Sequence, residues 1–132
     1  MIVVDASVVA NVVGDDDAAG RTARALLRRE QRITVPDLVD VETASVLRRR
    51  WLAGSLDEPR FEAAVTDLVG LPMSRVPTRS LIRRAFELRA NVTPYDACYV
   101  ALAEALGCPL FTLDGRLARS SGPRCRIEVV SD

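Results

Sequence analysis

Residues 93–117 read TPYDACYVALAEALGCPLFTLDGRL. Thr93 followed by Pro94 is a capping hydroxyl followed by the residue best suited to the first helical position. An alanine-rich apolar run then continues to Gly107, a helix stop. PLFTL (109–113) follows as a short apolar strand, and Asp114 opens a further short helix. A helix that feeds directly into a wholly apolar strand is the repeating unit of a parallel sheet buried on both faces.

The rest of the chain repeats this alternation. IVV (2–4) is a buried strand ending on Asp5, and residues 6–13 form a helical segment that ends near Gly14. Asp15–Asp17 open a second helix, whose Ala19, Ala23, Leu26 and Leu27 make an apolar stripe with Arg21, Arg24, Arg28 and Arg29 largely on the wet side. ITVP (33–36) is a strand, and Asp37 is placed to cap a helix that runs to Gly54. Another helix follows Leu56–Asp57 and reaches Leu71, RVP (75–77) is a brief strand, residues 79–90 are helical, and RIEVV (126–130) is a last strand. The expectation is a three-layer α/β/α sandwich with a mainly parallel central sheet.

The 132 residues, 48% hydrophobic and 27% charged, contain no repeat or linker and suffice for one domain, residues 1–132, without disulfides or structural metal. Net charge is zero, so contact with a polyanion must come from a local patch. Every one of the 18 basic residues is Arg, which suits bidentate phosphate contacts and leaves no lysine amine for catalysis. Histidine is absent, which excludes imidazole acid–base chemistry, Ser-His-Asp triads and the common zinc sites. Cys98, Cys108 and Cys125 form no CxxC pair, as expected in a reducing cytoplasm. The first thirteen residues include Asp5 and Asn11 and lack a basic leader, so no signal peptide is expected, and no run reaches membrane-spanning length.

The remaining chemistry belongs to carboxylates. Asp5 and Asp114 each end a strand, so in a parallel sheet both emerge at the pole where such folds bind ligands. Asp96, in the first turn of its helix, points to that pole too. Each has an ordinary alternative role as a cap, and Thr93 with Asp96 has capping-box spacing, as do Asp37 and Asp40, which are read as caps. Glu42 lacks such an alternative: it faces an apolar stripe and has no basic neighbour at helical pairing distance. Like charges about 5 Å apart repel by roughly 3 kcal/mol at an effective dielectric of about 20, so four converging acids need a counter-charge. Oxygen donors alone favour a hard cation, Mg2+ or Mn2+.

VVDASVVAN (3–11), VPDLVDVETASVL (35–47) and residues 93–117 resemble, in order, the successive motifs of PIN-domain ribonucleases, in particular the VapC toxins of bacterial toxin–antitoxin pairs. The resemblance implies a PIN-like fold with Asp5, Glu42, Asp96 and Asp114 as the catalytic metal-binding quartet, oriented through Ser7 and Thr112. The position between Asp5 and Ser7, often Thr in this family, is Ala6, which removes one hydroxyl. The resemblance further implies a metal-activated water that hydrolyses RNA to 5′-phosphate and 3′-hydroxyl ends, a cognate VapB-type antitoxin and a homodimer. Arg116 and Arg119, following Asp114, are candidate RNA contacts.

Two other readings compete. A receiver-type phosphoacceptor domain also gathers acids at strand ends, but needs a lysine this chain lacks. A PIN-like binding or scaffold module typically loses one or more acids, and all four are present. The clusters Arg28–Arg29, Arg48–Arg50 and Arg83–Arg84 read as solvated helix faces, and Trp51 as core or helix-hairpin packing, with partner contact as the lesser alternative.

Overall fold

The computed structural model describes residues 1–131. Five strands, β1 (Val3–Val4), β2 (Thr34–Pro36), β3 (Ser74–Val76), β4 (Leu110–Thr112) and β5 (Ile127–Val129), alternate with seven helices. The helices are α1 (Ala6–Gly14), α2 (Ala18–Arg29), α3 (Val39–Leu52), α4 (Glu58–Gly70), α5 (Ile82–Glu87), α6 (Pro94–Leu106) and α7 (Gly115–Ala118). Every strand pairing is parallel: β1 with β4, β4 with β5, and β2 with β3. A parallel bridge between Ile2 and Ile33 sets β2 beside β1, giving the order β3-β2-β1-β4-β5.

α1 packs with α2, α3 and α4, whereas α6 lies across β1, β2 and β4 and packs with α5. The inner strands β1, β2 and β4 are buried throughout, Val3, Val4, Val35 and Leu110 wholly so, because they are covered on both sides, whereas the edge strands β3 and β5 are partly exposed. α6 is buried over most of its length, from Ala97 to Ala103, which its small side chains permit. The order of connection reverses between β1 and β4, so the crevice beyond their carboxyl ends is the place where such a sheet accommodates a ligand.

The structure corrects several local expectations. Asp37 does not cap α3; Leu38 holds that position, in helical conformation and without a side-chain bond. The Asp37 carboxylate instead accepts from the Thr78 amide at 3.0 Å and the Thr78 hydroxyl at 2.6 Å, and that hydroxyl accepts from the Leu38 amide at 3.2 Å. The parallel pairing of β2 with β3 brings Thr78 within reach, so a partner distant in sequence takes the place of the local cap. Asp40 is not a cap either: it forms a bidentate pair with Arg75 at 2.8 and 3.0 Å. The helix expected over 79–90 is a 3-10 turn at Thr78–Leu81 followed by α5, and bonds to the third preceding residue tighten the chain from Leu88 to Asn91. The strand expected at 75–77 lies one residue earlier.

The arginine clusters divide. Arg50 donates to Asn11 Oδ1 at 2.7 Å, Arg24 to the Asp15 carbonyl at 2.7 Å, and Arg84 pairs with Glu104, while Arg28, Arg29, Arg48 and Arg83 are exposed. Trp51 packs against Phe61 across the α3–α4 hairpin, with ring centroids 6.0 Å apart. The three cysteines are free thiols, Cys98 being buried.

Candidate functional site

Asp5, Glu42, Asp96 and Asp114, contributed by four separate segments, line one open cleft of about 470 Å³ at the carboxyl end of the sheet. Asp5 leaves β1 and caps α1, its Oδ1 accepting from the amides of Ser7 at 3.1 Å and Val8 at 3.3 Å. The cap and the site residue are one side chain. Asp114 follows β4 and caps α7 through the Arg116 amide at 2.9 Å. Asp96 sits in the first turn of α6, where its amide donates to the capping Thr93 hydroxyl at 3.2 Å. Glu42 projects from the first turn of α3.

Two hydroxyls tie the ends of β1 and β4 together. Ser7 Oγ donates to Asp5 Oδ1 while accepting from the Leu113 amide at 3.1 Å. Thr112 Oγ1 donates to Asp5 Oδ2 while accepting from the Asp114 amide at 3.0 Å. Each hydroxyl thus spends its single proton on Asp5 and its lone pair on the loop that carries Asp114.

The electrostatics are those of an anionic cluster that Arg116, beside Asp114, compensates only in part. Burial raises the Asp5 carboxyl above its ordinary range, against four hydrogen bonds that lower it. Glu42 is raised by burial, lowered by a hydrogen bond from Tyr99, and raised again by the charges of Asp96 and Asp5. Asp96 is raised by burial and then by the charges of Asp5 and Asp114. Among the described residues, no three acidic or thiol side chains already have the spacing of an ion cage. The donor set nevertheless fits a hard divalent cation: it is all oxygen, partly withdrawn from water, and mutually repelling until positive charge arrives.

Sequence reasoning missed three residues of this site. Tyr99, on the apolar stripe of α6, is 1% exposed and donates from its hydroxyl to Glu42 Oε1 at 2.6 Å. Glu42 is therefore partnered, contrary to expectation. Only the three-residue spacing of Asp96 and Tyr99 hinted at a shared face. Arg49 and Tyr95 also line the cleft, the first concealed within an arginine cluster and the second beside Asp96. Arg116 and Arg119 lie outside the lining: Arg116 is 87% exposed, near Asp114 at 3.6 Å, and Arg119 is an exposed residue whose guanidinium stands close to Gly115.

The PIN-domain family model matches residues 2–122. Ribonuclease VapC9 of Mycobacterium tuberculosis is 43% identical over 130 residues, covering 98% of both chains. Ribonuclease VapC12 of the same organism is 37% identical over 131 residues, covering 99% of this chain and all of the relative. Among solved structures, M. tuberculosis VapC20, a toxin that cleaves the sarcin-ricin loop, superposes with a TM-score of 0.69 at 23% identity, covering 90% of this chain and 94% of its own. A Pyrobaculum aerophilum protein gives the same TM-score at 20% identity, covering 96% of this chain and 82% of its own. These two likenesses concern the fold, whereas the family match and the closer relatives span nearly the whole sequence: the chain belongs to the PIN-domain family, among its VapC ribonucleases.

Proposed function

We propose that the chain is one PIN domain acting as a Mg2+- or Mn2+-dependent endoribonuclease, the toxin of a cytoplasmic toxin–antitoxin pair held in check by a VapB-type antitoxin and working as a homodimer. The observation that carries the reading is the convergence of Asp5, Glu42, Asp96 and Asp114 on one cleft in a chain with neither histidine nor lysine.

In this reading the four carboxylates hold the cation, which when bound polarises the phosphoryl group and lowers the pKa of water. Ser7 and Thr112 fix both oxygens of Asp5, and through the same hydroxyls fix the loop bearing Asp114. Tyr99 holds Glu42 in place. Exposed Arg116, beside Asp114, offers a charge-assisted contact to the RNA backbone, with exposed Arg119 just past the end of the same short helix. Without imidazole or amine there is no evident side-chain pair to move the proton from the ribose 2′-hydroxyl to the leaving oxygen. Hydrolysis by water, leaving 5′-phosphate and 3′-hydroxyl ends, is the course the residues favour.

The test is purified protein on RNA with Mn2+, with and without EDTA, followed by direct ligation of the fragments. Cleavage abolished by EDTA and by Asp114→Asn, with ligatable 5′-phosphate ends, supports the reading. Cyclic-phosphate ends, or equal cleavage in EDTA, would overturn it. In cells, expression should arrest growth and Asp114→Asn should relieve the arrest.

A further inference from the structure

We propose that Tyr95 and Arg49 form a nucleotide-holding subsite on the α3/α6 side of the acidic cleft, which grips an unpaired base next to the phosphate being cleaved. The inference rests on the ribonuclease reading and names the side chains that hold the substrate beside the cut.

Tyr95 stands one residue before Asp96 in the first turn of α6 and is 63% exposed while lining the same cleft as the four acids. Its hydroxyl has no hydrogen-bond partner among the described residues, in contrast to that of buried Tyr99. On α3, Val41, Ser45 and Arg49, which line the same cleft, recur at four-residue intervals and make one exposed stripe. Arg49 donates only to Ser45 Oγ, at 3.4 Å, and no ion pair engages it among the described residues, although four carboxylates share its cleft. Its guanidinium is therefore available to an anion.

A cleft so rich in negative charge repels a phosphodiester, so the substrate needs attraction beside the acids. An aromatic face supplies one that does not depend on charge, because every base has a π-face on which it can stack. A base in a duplex is already stacked and paired, so only an unpaired one can occupy Tyr95. A cation lining the same cleft then meets a flanking phosphate. A concave cleft combining an aromatic ring, an unengaged guanidinium and the acids suits a nucleotide better than a flat protein surface.

The experiment measures binding of a fluorescent single-stranded oligoadenylate by anisotropy in the Asp114→Asn background, and its cleavage by protein with Asp114 intact. A fully abasic oligonucleotide of the same length and charge is the comparison. Tyr95→Ala should weaken oligoadenylate binding about tenfold to a hundredfold, and Tyr95→Trp should retain it. The abasic strand should bind weakly and be indifferent to Tyr95→Ala. Arg49→Gln should reduce the salt dependence by about one phosphate contact. Oligoadenylate binding by Tyr95→Ala within twofold of the parent, or an equal loss on the abasic strand, would overturn the subsite while leaving the ribonuclease reading intact. So would a Tyr95→Ala defect confined to dimer assembly or antitoxin binding, which would make this surface a protein interface. Failure of the otherwise unsubstituted chain to cleave any RNA would overturn the ribonuclease reading, and the subsite with it.

Discussion

The hydroxyl of Tyr99, on α6, donates to Glu42 Oε1, on α3, across 2.6 Å and 57 positions of sequence. Burial and then the adjoining Glu42 push the phenol far above its ordinary pKa, so Tyr99 remains a donor wherever the protein is folded. It acts through Glu42 as a positioning residue.

Tyr99→Phe keeps the ring and removes the donor. The variant should lose about 1–3 kcal/mol, since a partly buried charged acceptor is left short of a partner. In the ribonuclease reading it should also need more Mn2+ for half-maximal binding, measured calorimetrically, and cleave more slowly. A stability loss with unaltered Mn2+ affinity would limit the hydroxyl to a structural role.

Stability without metal should run against the usual acid trend. Asp5, Glu42 and Asp96 have folded pKa values above their ordinary ones, so the native state holds their protons more tightly than the unfolded chain. Their burial is tolerated best in the protonated form, and stability declines as pH rises through the raised values. Asp16, Asp37 and Glu104, lowered by their partners, contribute fully above the ordinary carboxylate range and do not oppose the trend. In EDTA, Tm should therefore fall as pH rises above the ordinary carboxylate range, and millimolar Mg2+ or Mn2+ should reverse the fall by binding the native state. Asp96→Asn should flatten the EDTA profile.

Neutralising the acids should not be equivalent. Asp96→Asn removes a repelling charge and should raise the metal-free Tm. Asp5→Asn turns an amide NH2 toward groups that are themselves donors, the hydroxyl of Thr112 or the Ser7 hydroxyl and the two amides, and should lower Tm even though it removes charge. Thermal scans in EDTA decide between the two signs.

Gly20→Ala should reverse a familiar rule. In a helix interior the exchange ordinarily gains about 1 kcal/mol. A Cβ at Gly20, however, would stand 1.7 Å from the Asp15 carbonyl oxygen, where the chain turns from α1 into α2 and Asp15 Oδ1 already accepts from the Gly20 amide. A loss of about 1–3 kcal/mol in urea denaturation is expected.

The order of elements could be read from the sequence because local rules and the tertiary fold agree there. Thr93–Pro94 starts α6 and Gly107 ends it in left-handed conformation, as the residue types require. Once the strands are taken as parallel, Asp5 and Asp114 must share a pole, and the cleft follows from topology. Where a side chain finds its partner far along the chain, local reading failed. Asp37 went to Thr78 and Asp40 to Arg75 because the β2–β3 pairing brought those partners within reach.

By itself, then, the sequence determined the alternating α/β order, the pole at which the acids gather and the absence of imidazole and amine chemistry, all of which depend on residue type and near-neighbour spacing. The tertiary structure alone decided that Tyr99 holds Glu42, that Ser7 and Thr112 each serve Asp5 and the Asp114 loop at once, and that Arg49 and Tyr95 share the cleft. A hydrogen bond of under 3 Å depends on how two helices or strands are set against one another, and that packing is a property of the whole core rather than of any window of residues.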